Sequence, residues 1–299
     1  MPFAFARSDR SVEAAVRRIA GRELDRAIAA LDAAPVPAPA AVHAIRKRIK
    51  KLRGLLRLVQ PVFNDFPAAN AALRDAGRHL SGQRDAAVRI ATFGRLTAAD
   101  ATLAPEERAA FRAALDAAGP ETRDSAGEAA AARNILAALR AEAGGWRIAG
   151  KEFDALAPGL ERTWARAQAA QTGAQAARGG DFAAEPFHEW RKRVKAHWYQ
   201  ARLLSPIWPE MMAPHVAAAD ALGEMLGDHN DIAVLLDDLA ATEAALTRPA
   251  AFARFEARAK AERARLADRA LVEGTRLFAG SGKALARRWG VWWAVWRAR

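Results

Sequence analysis

Apolar residues recur at intervals of three and four along almost the whole chain, and alternation in twos is rare, so the pattern predicts helix after helix. Ala, Leu, Arg and Glu dominate, while β-branched residues and Tyr are scarce, which favours the same state. The periodic runs stop at turn-forming stretches: "APVPAPA" after Asp32, "PVFNDFP" (61–67), "GQRD" (82–85), "AGGWRIAG" (143–150), "ARGGDFAAEP" (177–186), "SPIWPE" (205–210), "LGDHND" (226–231) and "AGSG" (279–282). The predicted fold class is all-α, with about a dozen helices of ordinary length.

The Gly-rich break near the middle separates residues 1–146 from 147–299, and the two halves run in the same order. In each, an amphipathic helix precedes a Pro or Gly loop. A basic helix headed by histidine follows, then a Pro-bounded turn, another helix and a short loop bearing Asp. The basic helices are "HAIRKRIKKLRGLLR" from His43 and "HEWRKRVKAHWYQAR" from His188; the Asp loops are "LSGQRDAAV" and "LGDHNDIAV". His43 to Asp85 spans 42 residues and His188 to Asp231 spans 43. Such matching points to an internal duplication, and hence to two helical bundles about a pseudo-two-fold axis.

On a helical wheel, Arg46, Lys47, Lys50, Arg53 and Arg57 share the face of His43, while Ile45, Ile49, Leu52, Leu56 and Val59 gather opposite. In the second helix Arg191, Lys192, Lys195, Tyr199 and Arg202 share the face of His188, with Trp190, Val194, Ala201 and Leu204 opposite. His197 falls on the apolar side and is not a ligand candidate. A solvated basic face normally intersperses acids, because like charges three or four residues apart weaken a helix. Neither cationic face carries one, and Glu189 is the sole acid in either segment. An anion with many equivalent oxygens would relieve that repulsion, with Arg supplying a planar fork and Lys a mobile point charge. A head histidine adds a hydrogen-bond donor whose charge can vary near neutral pH.

The net charge of +12 agrees with a polyanionic partner without choosing one. The absence of cysteine excludes disulfides, thiolate metal sites and thiol nucleophiles and fits a reducing cytoplasm. No leader pattern and no run of eighteen apolar residues is found, so a soluble, cytoplasmic protein without a membrane span is expected.

With its paired "HxxRKRxK" helices and the later "RD" and "ND" loops, the sequence resembles the CHAD family, the conserved histidine α-helical domain, over essentially its full length. The resemblance implies a single domain of two four-helix bundles, a basic central surface that binds inorganic polyphosphate, and association with polyphosphate granules. The positions it carries over are His43, Arg46, Lys47, Lys50 and Arg57, with His188, Arg191, Lys192, Lys195 and Arg202 as counterparts; Tyr199 also fits the second pattern. Arg53 has the right face but is matched by Trp198, and Arg84 is matched by Asn230. Many relatives carry a triphosphate-tunnel domain with alternating Glu-x-Glu-x-Lys, and that motif does not occur here.

Asp85 and Asp231 each precede a short apolar run, where an acid caps backbone N–H groups; the alternative is that each braces a ladder cation. "GDHND" offers Asp228, His229 and Asp231 at a spacing that matches no firm metal motif, and no metal or cofactor is expected. "GSGKALARR" reads as the turn opening the last helix, with Lys283, Arg287 and Arg288 as extensions of the basic surface. Trp289, Trp292, Trp293 and Trp296 have the spacing of a buried stripe, with membrane-interface anchoring as the alternative. No P-loop, nucleophile elbow or zincin motif is present, and a non-enzymatic binding protein is expected. The rival partner is nucleic acid, which usually needs aromatic stacking platforms; only Trp198 and Tyr199 come near either ladder.

Overall fold

A computed structural model describes residues 3–80, 85–98, 103–117, 124–179 and 184–298. Among them lie twelve α-helices and no strand. The first six are α1 (Val12–Asp32), α2 (Pro39–Val59), α3 (Phe66–His79), α4 (Asp85–Thr97), α5 (Pro105–Ala117) and α6 (Ser125–Ala143). The second six are α7 (Ala157–Ala176), α8 (Ala184–Leu204), α9 (Pro209–Ala240), α10 (Glu243–Thr247), α11 (Pro249–Leu277) and α12 (Gly282–Ala298).

Local chemistry sets many of the boundaries. Ser11 starts α1 by accepting from the Ala14 N–H at 3.1 Å, and Asp124 starts α6 by accepting from Gly127 at 2.9 Å. Pro enters the first turn of α2, α3, α7, α9 and α11, where its missing N–H costs nothing. The basic helices α2 and α8 are both 21 residues long, and each runs into a three-residue 3₁₀ turn containing Pro.

One expected break is absent. The stretch "LGDHND" lies inside α9, a single helix of 32 residues. Leu222, Leu226, His229, Ile232, Ala233 and Leu236 are all buried along it, so the apolar stripe continues through the Gly-Asp sequence and overrides its turn propensity. Asp231 is therefore mid-helix and caps nothing. Nor does it form an ion pair with a ladder cation among the described residues. Asp85 is the first residue of α4, but its side chain, like residues 81–84, lies outside the described set.

The core crosses the midpoint of the chain. One apolar cluster joins α1, α2, α3 and α6 to Trp198, Tyr199, Leu203 and Leu204 of α8 and to Trp289 and Trp293 of α12. Another packs Phe93 and Phe111 of α4 and α5 against Ile232, Leu236 and Phe255 of α9 and α11. A third holds Trp164, Trp190, Val194, Leu222 and Ala267 between α7, α8, α9 and α11. The tryptophan stripe of α12 docks on the body: Trp289 and Trp293 are buried, and Trp293 donates its indole N–H to Glu152 at 2.7 Å.

Three histidines are held neutral by this packing. His197 and His215 meet Nε2 to Nε2 at 2.7 Å beside Trp164 and Trp289, so one donates and the other accepts. Burial lowers His197 well below the ordinary imidazole value and takes His215 down to about 4. His229 stacks on Phe187 with neither ring nitrogen hydrogen-bonded, and burial followed by the charge of Arg263 takes it down to about 3. It cannot join Asp228 and Asp231 as a metal ligand in this position.

Below the usual value of 6.5 the unfolded chain protonates these rings while the folded chain does not, so stability falls as pH drops from there towards 4. Thermal melts should show a lower Tm at about pH 5 than at about pH 7. His229→Leu should lose about 2 kcal/mol less stability over that interval. An identical acid dependence in wild type and variant would sink the assignment.

Candidate anion-binding site

Helices α2 and α8 cross with their backbones close together because Gly54 has no side chain: a Cβ there would stand 2.6 Å from the Cβ of Tyr199. The contact turns the two basic faces towards one cavity of about 660 Å³. Its walls include His43, Arg46, Lys47, Lys50, Arg53 and Arg57 from α2, and Arg191, Lys192, Lys195, Tyr199 and Arg202 from α8. Of the twelve ladder residues expected from sequence, His188 alone is not part of the wall.

Each ladder is held by the helix that follows it. Along α2, Arg46 donates to the Leu80 carbonyl at 2.8 Å and Arg53 to Asn70 at 3.2 Å, both on or next to antiparallel α3. Along α8, His188 is hydrogen-bonded to Asn230, Arg191 lies over Gly227, and Lys195 lies over Gly223. A Cβ at Gly223 would come within 2.5 Å of the Lys195 stem, and one at Gly227 within 3.0 Å of the Arg191 guanidinium. Gly227, which resembles a loop signal in the sequence, and Gly223 thus provide the floor on which these cations rest.

His188 stands apart from the cavity wall, beside Asn230. Burial, then Lys192, lowers its pKa, which favours the uncharged ring. Burial also pushes the Tyr199 phenol up to about 12, leaving it protonated. Burial, then the charges of Arg53, Arg193 and Arg166, pulls the Arg57 guanidinium down to about 10. Arg53 is lowered by burial and by Arg74 and Arg193. Burial dominates all of these shifts, and at Arg53 and Arg57 neighbouring like charge adds to it.

Three further side chains of the wall act on the ladder cations in ways the helical wheel does not show. Asp220 and Glu224, one turn apart on α9, bond Lys195 at 3.0 and 3.1 Å, so acids do reach the cationic surface from a neighbouring helix. Trp198 lies under Lys195, whose ammonium is 3.8 Å from a ring centroid, and under the Arg202 guanidinium at 4.8 Å. Glu189 holds Lys192 at 2.7 Å and also pairs with Arg193. The position opposite Arg53 is thus a cation platform rather than a further cation. The spacing of Asp220 and Glu224 is visible in the sequence, but their target is set only by the antiparallel register of α8 and α9.

Lys283 and Arg287 line a different cavity, of about 690 Å³, together with Asp154 and Glu161, so they do not extend the basic wall. Among the described residues no group of three His, Asp or Glu is placed to hold a metal ion, and no helix is long and apolar enough to cross a membrane.

The sequence model of a family described as CHAD domain matches residues 12–240. Among solved structures, the crystal structure of the CHAD domain from the plant Ricinus communis aligns with a TM-score of 0.56 at 20% identity, covering 96% of this chain and 94% of that one. That likeness is one of fold. No curated protein matches the sequence.

Two substitutions probe the site without a ligand. Gly54→Ala should destabilise the chain by about 1–3 kcal/mol in urea titration, since the clash with Tyr199 outweighs the better helix propensity of alanine; a gain in stability would contradict the close crossing. The charged form of Arg57 is disfavoured by folding at every pH below about 10, a penalty relieved only as pH rises towards 12.5. Arg57→Met should therefore stabilise the fold by on the order of 1 kcal/mol after solvent screening, seen as a higher Tm in low-salt, polyanion-free buffer. A fall in Tm would show that packing of the Arg57 stem matters more than its charge.

Proposed function

From the premise that the chain belongs to the CHAD family, matched over residues 12–240, we propose that it binds inorganic polyphosphate in the cavity between α2 and α8. The family is associated with polyphosphate binding in general. The observation that carries the reading is the convergence of eleven ladder residues on one wall. Successive phosphates, all alike, would be met by successive Arg forks and Lys ammonium groups through charge-assisted hydrogen bonds, and many weak contacts would act together. A chain with this affinity would gather on polyphosphate granules.

Two features favour this ligand over nucleic acid. Trp198 is 7% exposed and already bears two cations, while Tyr199 is 4% exposed, so neither offers a free face for a base to stack on. The wall instead offers donors suited to oxygens. The role is binding rather than catalysis: Asp220 and Glu224 are both turned to Lys195, where they offset an ammonium charge.

Titration with long-chain polyphosphate, single-stranded RNA and duplex DNA at matched phosphate concentration and near-physiological salt tests the reading. Polyphosphate should bind tightest and resist displacement by either nucleic acid. Lys47→Glu with Lys50→Glu should weaken it at least about tenfold more than Lys151→Glu, on an exposed residue outside the cavity. Equal binding of all three polymers, lost together as salt rises, would reduce the cavity to a general electrostatic surface.

A further inference from the structure

Cations also accumulate beyond the ladders, where α7 meets α2 and α8. Gly159 near the start of α7 is pressed against the C-terminal end of α2: a Cβ there would overlap the Leu58 carbonyl oxygen and stand 2.9 Å from that of Arg57. One and two turns further along the same side of α7 come Arg162 and Arg166, both exposed. The adjoining Thr163 accepts a hydrogen bond from Gln200 of α8 at 2.9 Å, which fixes the register of α7 on the second ladder helix. Two turns before Gln200 on α8 is Arg193. Three helices therefore bring Arg193, Arg166 and Arg162 into the neighbourhood of Arg57, which lines the cavity.

The charges there are poorly offset. Glu189 is shared between Arg193 and Lys192, and neither Arg162 nor Arg166 has an ion-pair partner among the described residues. Arg166 is held below the usual guanidinium value by burial and by the charges of Arg162 and Arg193, and Arg57 feels Arg166 and Arg193 in turn. The repulsion follows from how close these groups stand. Arg57 belongs to the cavity wall, so the cluster is continuous with it.

We propose that the anion track leaves the cavity past Arg57 and continues over Arg193 onto α7, where Arg166 and Arg162 hold a second stretch of the same polyphosphate chain. This inference rests on the polyphosphate reading of the cavity. Short chains fill the cavity alone, and longer ones emerge to engage α7. Because the second stretch is tethered by the first, its contacts act at high effective concentration. The outer arginines thus set a preference for chain length.

The test compares tripolyphosphate with long-chain polyphosphate on wild type, on the double variant Arg162→Gln with Arg166→Gln, and on Lys47→Gln with Lys50→Gln. The α7 variant should bind the long chain about tenfold more weakly and tripolyphosphate unchanged. The cavity variant should lose affinity for both. If the α7 variant matches wild type on the long chain, or weakens both ligands equally, the outer track is overturned while the cavity reading stands. If wild type binds neither ligand, the cavity reading fails and takes this one with it. Both arginines are exposed, and unchanged melting curves would establish that the variants fold.

Discussion

The approach of α2 to α8 at Gly54 is the constraint on which the site depends, because two faces so rich in positive charge oppose any such approach. What overcomes the opposition lies on the reverse side of each helix. Ile45, Leu52, Leu55, Leu56 and Leu58 of α2, and Phe187, Trp190, Val194 and Leu204 of α8, are almost wholly buried. Each such side chain contributes about 1.5–3 kcal/mol, against a few tenths for each like-charge pair on an exposed helix face. Packing therefore dictates where the cations stand. Gly159, Gly223 and Gly227 extend the same device, each replacing a side chain with the surface of a neighbouring element.

Much of this was legible in the chain because it is local. A period of three and four fixes helices, and a histidine-led ladder fixes which residues share a face; both follow from the geometry of one helix and need no knowledge of its neighbours. The arginines near Arg57 were harder to see, since Arg162 and Arg166 belong to a helix whose sequence has no ladder. Asp220 and Glu224 escaped for a similar reason: they meet Lys195 only through the register between α8 and α9.

Two local signals also misled. Gly227 and Asp228 look like a turn, but the buried stripe from Leu222 to Leu236 keeps α9 whole and places Arg191 over the glycine. His188 heads its ladder on the wheel, yet it is drawn towards Asn230 and out of the wall. In each case a contact with another helix decided what the spacing alone left undetermined. The packing of α4 and α5 onto α9 and α11 is the largest example, since it joins segments far apart in sequence into one core.

A cavity that crowds guanidinium groups together couples occupancy to the integrity of the fold. A polyanion that neutralised Arg53 and Arg57 would relieve the repulsion between them, and a ligand present at a thousand times its Kd adds about 4 kcal/mol to the folded state. Openings that separate α2 from α8 become correspondingly rarer, and with them the exposure of the chain to proteases. If the chain binds polyphosphate as proposed, its lifetime in the cell is tied to the abundance of that polymer, and a shortage of it would thin out the protein as well.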